Sequence, residues 1–320
     1  MARGTTTTND LAPAIRTQYA DKLLTAQTRA CIYSLPLTMV DMKERNGDKI
    51  KFTRPGRLPL IKDPLGNTGH TPPPQKLTRE EIEGTIQWYG GYSINNEQVI
   101  MTNQCPILNM GSEEWGRCMK ESNDQLMADV LTATSSQYPC AYGTNGDVPT
   151  EYSRDDSSLI YEMLRGHSAP QVFSGKQGSV KVGSAPIGNA YMVLCHTDLI
   201  SSLRRLPNWV NKINYPNQKD LIEEEEGCLD GFRFFVSEMG SINATPSAAG
   251  KTVYNLTHIA RDAAAAITLG GNGQMIYHKA SDALEQNATL GVKWVQCGKI
   301  LQDAYMMNVK ATKIILGPGA

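Results

Sequence analysis

Between Pro55 and Pro74 the sequence drops every pattern that builds a core and turns to Pro, Gly and short polar residues, ending in the extended run Pro72-Pro73-Pro74. On both sides it reads as strand. The turn signal Asn46-Gly47-Asp48 leads into Ile50, Phe52 and Arg54 at period two. Beyond the tip come Ile82, Thr85, Ile86, Trp88 and Tyr89, then Tyr92 and Ile94, with Gly90-Gly91 permitting a bend or bulge. A two-stranded arm is at best marginally stable in water, and so long an irregular stretch is uncommon inside a compact domain. The arm therefore rests on something, either a second molecule or its own body, and the spacing leaves both open.

The rest of the chain mixes helices and strands. Leu11 to Ser34, with Ile15, Tyr19 and Leu23 four apart, suits an amphipathic helix capped near Asn9 or Asp10. A longer helix is expected from Ser112 to Thr134, with Glu113 and Glu114 favoured by the helix dipole and Trp115, Met119, Leu126 and Val130 on one stripe. A second capped helix runs from Asp155 to Leu164, with Gly166 as its stop. Tyr191 to Cys195 reads as an apolar strand and Asp198 to Leu206 as a helix ended by Pro207. Further strands are expected at Phe232 to Val236, Val253 to Ile259, Met275 to His278, Gly291 to Val295 and Ala304 to Ile315, and a short helix at Ala263 to Ile267. The predicted class is α+β.

With 320 residues, 40% of them hydrophobic, the chain can bury one large core or two smaller ones. Its 31 Lys plus Arg nearly balance 32 Asp plus Glu, so no overall field holds it on DNA. Met1 to Asp10 is polar and Thr-rich, unlike a secretory signal, and the small-apolar run Ala263 to Leu269 is far shorter than the roughly 20 residues that cross a bilayer. A soluble chain without a membrane partner is expected. The seven cysteines form no Cys-x-x-Cys pair and read as reduced thiols, which makes the sequons at Asn243, Asn255 and Asn287 chance matches.

A search for catalytic chemistry finds none. Gly250-Lys251-Thr252 resembles the end of a phosphate loop, but Thr245 stands where the first glycine is required and Pro246 removes a backbone donor; an ordinary turn fits better. The histidines at 70, 167, 196, 258 and 278 are never four apart, so no helix presents two of them to a metal. No Gly-x-Ser-x-Gly elbow occurs, and Gly271-x-Gly273 lacks the third glycine of a dinucleotide fingerprint. Glu223 to Glu226 reads as a solvated acidic face. The pairs Arg204-Arg205 and Arg54, Arg57 suit phosphate or a neighbour's carboxylates equally. No cofactor, metal or catalytic residue is predicted.

Several stretches resemble one family. Gly47-Asp48-Lys49-Ile50-Lys51-Phe52 and Gln87-Trp88-Tyr89-Gly90-Gly91-Tyr92 are similar to the extended-loop strands of the major capsid proteins of N-four-like podoviruses, a type of tailed bacteriophage. Cys195-His196-Thr197-Asp198-Leu199 with Leu203-Arg204, and Glu226-Gly227-Cys228-Leu229-Asp230-Gly231-Phe232-Arg233-Phe234, resemble parts of that family's axial domain. Asp282 to Trp294 and Ile300 to Met306 look like its closing signature, while Pro139 to Pro186 carries no match.

The resemblance implies a Hong Kong 97-like fold. It would divide the chain into an N-terminal arm (1–47), an extended β-hairpin loop (48–100), a peripheral domain with a long spine helix (101–188), an axial domain (189–280) and return strands (281–320). It implies a major capsid protein, not an enzyme, that self-assembles into hexamers and pentamers of an icosahedral head around double-stranded DNA. Arg54, Arg57, Lys62, Trp88 and Tyr89 would touch a neighbour from the extended loop, and Arg204, Arg205 and Glu226 from the axial domain. Some relatives crosslink subunits through a Lys and an Asn; Lys62 lies in the tip, but no Asn or carboxylate partner can be assigned. Implied partners are further copies, a portal protein, a separate scaffold, cement proteins and DNA bound without sequence specificity, in a virion assembled in the bacterial cytoplasm. The alternatives are an encapsulin-like compartment and a monomeric enzyme or binding protein.

Overall fold

The computed structural model describes residues 29–314, apart from 44, 46, 63–72, 103–106, 174–188, 216–221, 271–272, 280–283 and 285. Strand β1 (Thr38–Met42) precedes a hairpin of β2 (Lys49–Pro55) and β3 (Arg79–Thr85). Next come β4 (Gln87–Asn96), α1 (Glu97–Thr102), α2 (Ile107–Thr132), β5 (Gln137–Pro139) and α3 (Arg154–Gly166). The second half holds β6 (Tyr191–His196), α4 (Ile200–Leu203), β7 (Val210–Asn211), β8 (Glu225–Leu229), β9 (Phe232–Ser237) and β10 (Val253–Ile259). It closes with β11 (Ala264–Leu269), β12 (Gln274–His278), β13 (Asn287–Ile300) and β14 (Met306–Thr312).

The strands form a seven-stranded sheet ordered β5-β14-β10-β6-β9-β8-β7, a five-stranded sheet and the separate two-stranded hairpin. Central strand β6 is apolar on both faces because both are covered. Its Tyr191, Val193 and Cys195 pack with Ile160 and Leu164 of α3, while Met192 and Leu194 pack with Met127 and Leu131 of α2. Helix α3 begins where Ser153 and Asp156 cap each other reciprocally. In the five-stranded sheet β13 is the spine: β4 runs along one edge, and β11 and β12 follow each other along the other.

Helix α2 joins the two sheets. Its 26 residues span roughly 39 Å. The first half lies on the five-stranded sheet, where the Trp115 indole N–H donates to Ser93 Oγ at 3.2 Å and a side chain added at Gly91 would meet the Trp115 ring. The second half closes the core of the seven-stranded sheet. The segment just before β1 is fastened across α2, because Asp124 accepts backbone N–H bonds from Ile32 (3.0 Å) and Ser34 (3.1 Å). The same segment reaches the far side: the Tyr33 hydroxyl accepts from Ser241 N.

Several expectations need correction. The alanine run expected as a helix is strand β11; alanine favours helix intrinsically, but here small side chains lie between β1 and β13, and Ala264 and Ala266 pack near Met127 and Leu131. Helix α2 starts at Ile107, ahead of Ser112, and buries Asp124, Met127, Ala128 and Leu131, leaving the predicted stripe half-buried. The expected helix at Asp198–Leu206 shrinks to one 3-10 turn and the four-residue α4. For the expected Leu11–Ser34 helix, residues before 29 lie outside the described residues, and 29–34 are irregular, since Asp124 takes their backbone donors. Gly90-Gly91 forms no bulge: the β4–β13 ladder keeps one register from Asn96↔Asn287 to Gln87↔Gln296.

Candidate assembly surfaces

The hairpin follows from its alternation. One face carries Ile50 and Phe52, which pack at the root against Met42, Ile86, Ile267 and Val295 of the body. The other face is a ladder of charges: Lys49 pairs with Glu83 at 2.7 Å, Lys51 with Glu81 at 3.5 Å and Arg79 with Glu81 at 3.0 Å, while Arg54 and Glu80 pair farther out on the face of Ile50 and Phe52. The hydrogen bond and charge of Lys49 lower the Glu83 pKa. These pairs are exposed, so they set strand register more than they stabilise it. Past Pro55, among the described residues, Leu60 and Ile61 are each 83% exposed and Leu77 is 76% exposed.

The second surface is the face of the five-stranded sheet turned away from α2. Residues alternate along β4, so Tyr89, Gly91 and Ser93 face the helix and Trp88, Gly90, Tyr92 and Ile94 face outward. Trp88, Tyr92 and Ile94 are 63%, 70% and 61% exposed, a density of apolar surface that isolated surface residues do not produce. Lys293 stands 4.7 Å from the centre of the Trp88 ring. Lined by Lys293, Tyr92, Ile276 and His278, a groove of about 430 Å³ runs along Gly90 and Gly291. Close approach requires Gly291, where a side-chain carbon would lie 2.6 Å from Gly91 O.

At the far end of the seven-stranded sheet, the expected acidic face is overturned for Glu225 and Glu226, which are buried and paired. Glu225 accepts from Arg233 Nε at 2.7 Å and from the Tyr215 hydroxyl at 3.0 Å, and Arg233 stacks 4.0 Å above the Phe173 ring. Glu226 accepts from Arg204 Nε at 2.8 Å. A carboxylate this enclosed needs a hydrogen-bonded partner, and each has one: Arg233 on β9 for Glu225, and Arg204, at the end of α4, for Glu226.

The residues expected to meet a neighbour thus divide. Arg57, Lys62, Trp88, Arg204 and Arg205 are exposed. Arg54 is paired with Glu80, Tyr89 stacks on Trp294 with ring centres 5.7 Å apart, and Arg204 and Glu226 hold each other. Tyr92, Ile94, Leu60, Ile61 and Leu77 are exposed as well, and the alternation from Trp88 along β4 is the sequence signal for the first two.

Among the described residues, no group of three His, Cys, Asp or Glu side chains is placed to hold a metal ion. None of their helices is long and apolar enough to cross a membrane. Gly250-Lys251-Thr252 lies at a turn, where Gly250 N donates to Ser247 O and Ser247 N to Lys251 O.

No protein-family model and no curated protein matches the sequence. Solved structures do. The chain superposes on the capsid structure of cyanophage P-SCSP1u with a TM-score of 0.68 at 12% identity, covering 95% of each chain. It matches the capsid of Ralstonia phage GP4 with a TM-score of 0.65 at 9% identity, covering 99% of this chain and 100% of that one. The acid-stable capsid of Helicobacter pylori bacteriophage KHP30 gives 0.65 at 8%, covering 98% and 99%. The mixed α+β fold is therefore that of phage capsid subunits, over nearly the whole length.

Proposed function

We propose that this chain is the major capsid protein of a tailed bacteriophage, which assembles with its own copies into hexamers and pentamers of a closed head around double-stranded DNA. The observation that carries this reading is a capsid fold whose hairpin leaves Leu60, Ile61 and Leu77 bare beyond a root packed on the body. Such an arm has no purpose in a lone subunit and an obvious one across a neighbour. Repeated weak contacts suffice, since a closed shell engages all of them together. The near-zero net charge limits both repulsion between copies and adhesion to DNA.

In this reading the protein is not an enzyme, and it works in the virion after assembly in the host bacterial cytoplasm. Residues 48–100 form the extended loop, 101–188 the peripheral domain with α2 as spine, 189–280 the axial domain and 281–320 the return strands, with 1–47 as the arm. Arg57, Lys62 and Trp88 serve the loop contact and Arg205 the axial one, while Arg204 and Glu226 hold that surface in shape. A portal, scaffold and cement proteins are the expected further partners. Expression of the chain followed by negative-stain electron microscopy tests the proposal: rings or shells support it, and a monodisperse monomer at high concentration overturns it. Nucleic acid instead of enzyme cargo in particles from infected cells separates a phage head from an encapsulin-like compartment.

A further inference from the structure

We propose that the cavity between α2 and the helix-facing side of the five-stranded sheet binds one small monovalent cation, an alkali or ammonium ion. The cavity measures about 190 Å³ and is walled by Met119, Asn123 and Asp124 of α2, Gln296 of β13, Thr268 of β11 and Ser34. Its polar atoms mark it as a site. Gln296 is only 6% exposed, and it points at α2 because Trp294, two residues before it on β13, stacks on the helix-facing Tyr89. Thr268 is its cross-strand neighbour, but the Thr268 hydroxyl donates to Asp41 instead, at 3.1 Å. Gln296 Oε1 is thus left without a hydrogen-bond partner among the described residues, and so is Asn123 Oδ1 on the helix side. Buried side-chain oxygens are rarely left so.

Two unpartnered carbonyl oxygens can be satisfied by a donor or by a cation, and Asp124 decides between them. Its carboxylate is 1% exposed in the same wall, and the backbone donors it holds, Ile32 N and Ser34 N, are neutral. Desolvation outweighs those bonds and raises the Asp124 pKa. A cation coordinated by Gln296 and Asn123 beside that carboxylate supplies the missing charge, which water does not. One carboxylate balances one unit of charge, so a divalent ion would leave the interior positive. Among the described residues no group of three His, Cys, Asp or Glu side chains is placed to hold one. Exposed Lys120, which also lines the cavity, adds to that bias. Once occupied, the site ties α2, β13 and residues 32–34 to one ion.

Melting of the purified chain at constant ionic strength, in potassium or ammonium chloride against the salt of the bulky N-methylglucamine cation, tests this without requiring shells. A tenfold excess of the small ion over its dissociation constant should raise the melting temperature by roughly 2–4 °C. Gln296→Met keeps the length of the side chain, removes the carbonyl and should abolish the difference between salts; Asn123→Leu should do the same from the helix side. Thallium(I) NMR of the wild type gives a second readout that depends on neither variant: one bound resonance, displaced by potassium, is expected. Equal melting in all three salts, an undiminished salt response in either variant, or no bound thallium signal overturns the proposal and leaves a cavity that holds water only.

Discussion

Acid should weaken the subunit through one buried histidine. His258 lies in the middle of β10, fully buried, with Nε2 3.1 Å from the Tyr152 hydroxyl and Nδ1 3.3 Å from Leu256 O. The ring meets Phe232 edge-on with centres 4.9 Å apart. Burial removes the water that would solvate an imidazolium and pushes the His258 pKa down to about 3. Unfolded, the same group titrates near 6.5. Above that pH both states are neutral and His258 contributes no pH dependence. Between about 6.5 and 3 only the unfolded chain takes the proton, so stability falls by about 1.4 kcal/mol per pH unit. At pH 4.5 the loss is about 2.7 kcal/mol, and it cannot exceed roughly 5 kcal/mol by pH 3. His258→Gln keeps a polar side chain there and removes the titration. Urea unfolding of both proteins at pH 7 and 4.5 isolates the effect, because every carboxylate titrates in both. The wild type should lose roughly 2 to 3 kcal/mol more than the variant over that interval; equal losses would refute the argument.

Four other changes separate the forces at work. Gly91→Ala would place a carbon 2.7 Å from the Trp115 ring, prising α2 from the five-stranded sheet at a cost of roughly 1–3 kcal/mol, seen as a lower melting temperature. Arg233→Met strands the carboxylate of Glu225 in the interior, and a loss of about 3–5 kcal/mol is expected in denaturant titration. By contrast Glu83→Gln, on the exposed hairpin ladder, should leave the melting temperature unchanged. Deleting Arg57 to Pro73 should leave the circular dichroism and melting of the body intact and abolish shells in the electron microscope; normal particles would rule out the hairpin as a bridge.

The elements that sequence patterning captured are those whose local preference and tertiary role agree. Val253–Ile259, with β-branched or aromatic residues at Val253, Tyr254, Thr257 and Ile259, is a central strand with the bounds expected. The two strands around the Pro-rich tip are also legible from their period and pair as the β2–β3 hairpin, while the run beyond Ile86 pairs with β13 instead. Misreadings arose where a distant partner reverses a local cue. Alanines 264 to 266 favour helix until β1 and β13 flank them. Glu225 and Glu226 look solvated until Arg233 and Arg204 arrive from elsewhere in the chain. Asp124 breaks the apolar stripe of α2, yet it is buried because it holds the backbone around Ile32 to Ser34. Trp88 and Tyr89 are neighbours on β4 and so face opposite sides of the sheet: Trp88 is exposed, while Tyr89 stacks on Trp294.

Tracing the hairpin in a cryo-electron microscopy map of assembled particles tests the account most directly. Continuous density should carry residues 56–78 off the body of their own subunit and bring Leu60 and Ile61 down onto the adjacent one. Density that folds this segment back over its own β4, leaving adjacent subunits joined by other surfaces, would contradict it.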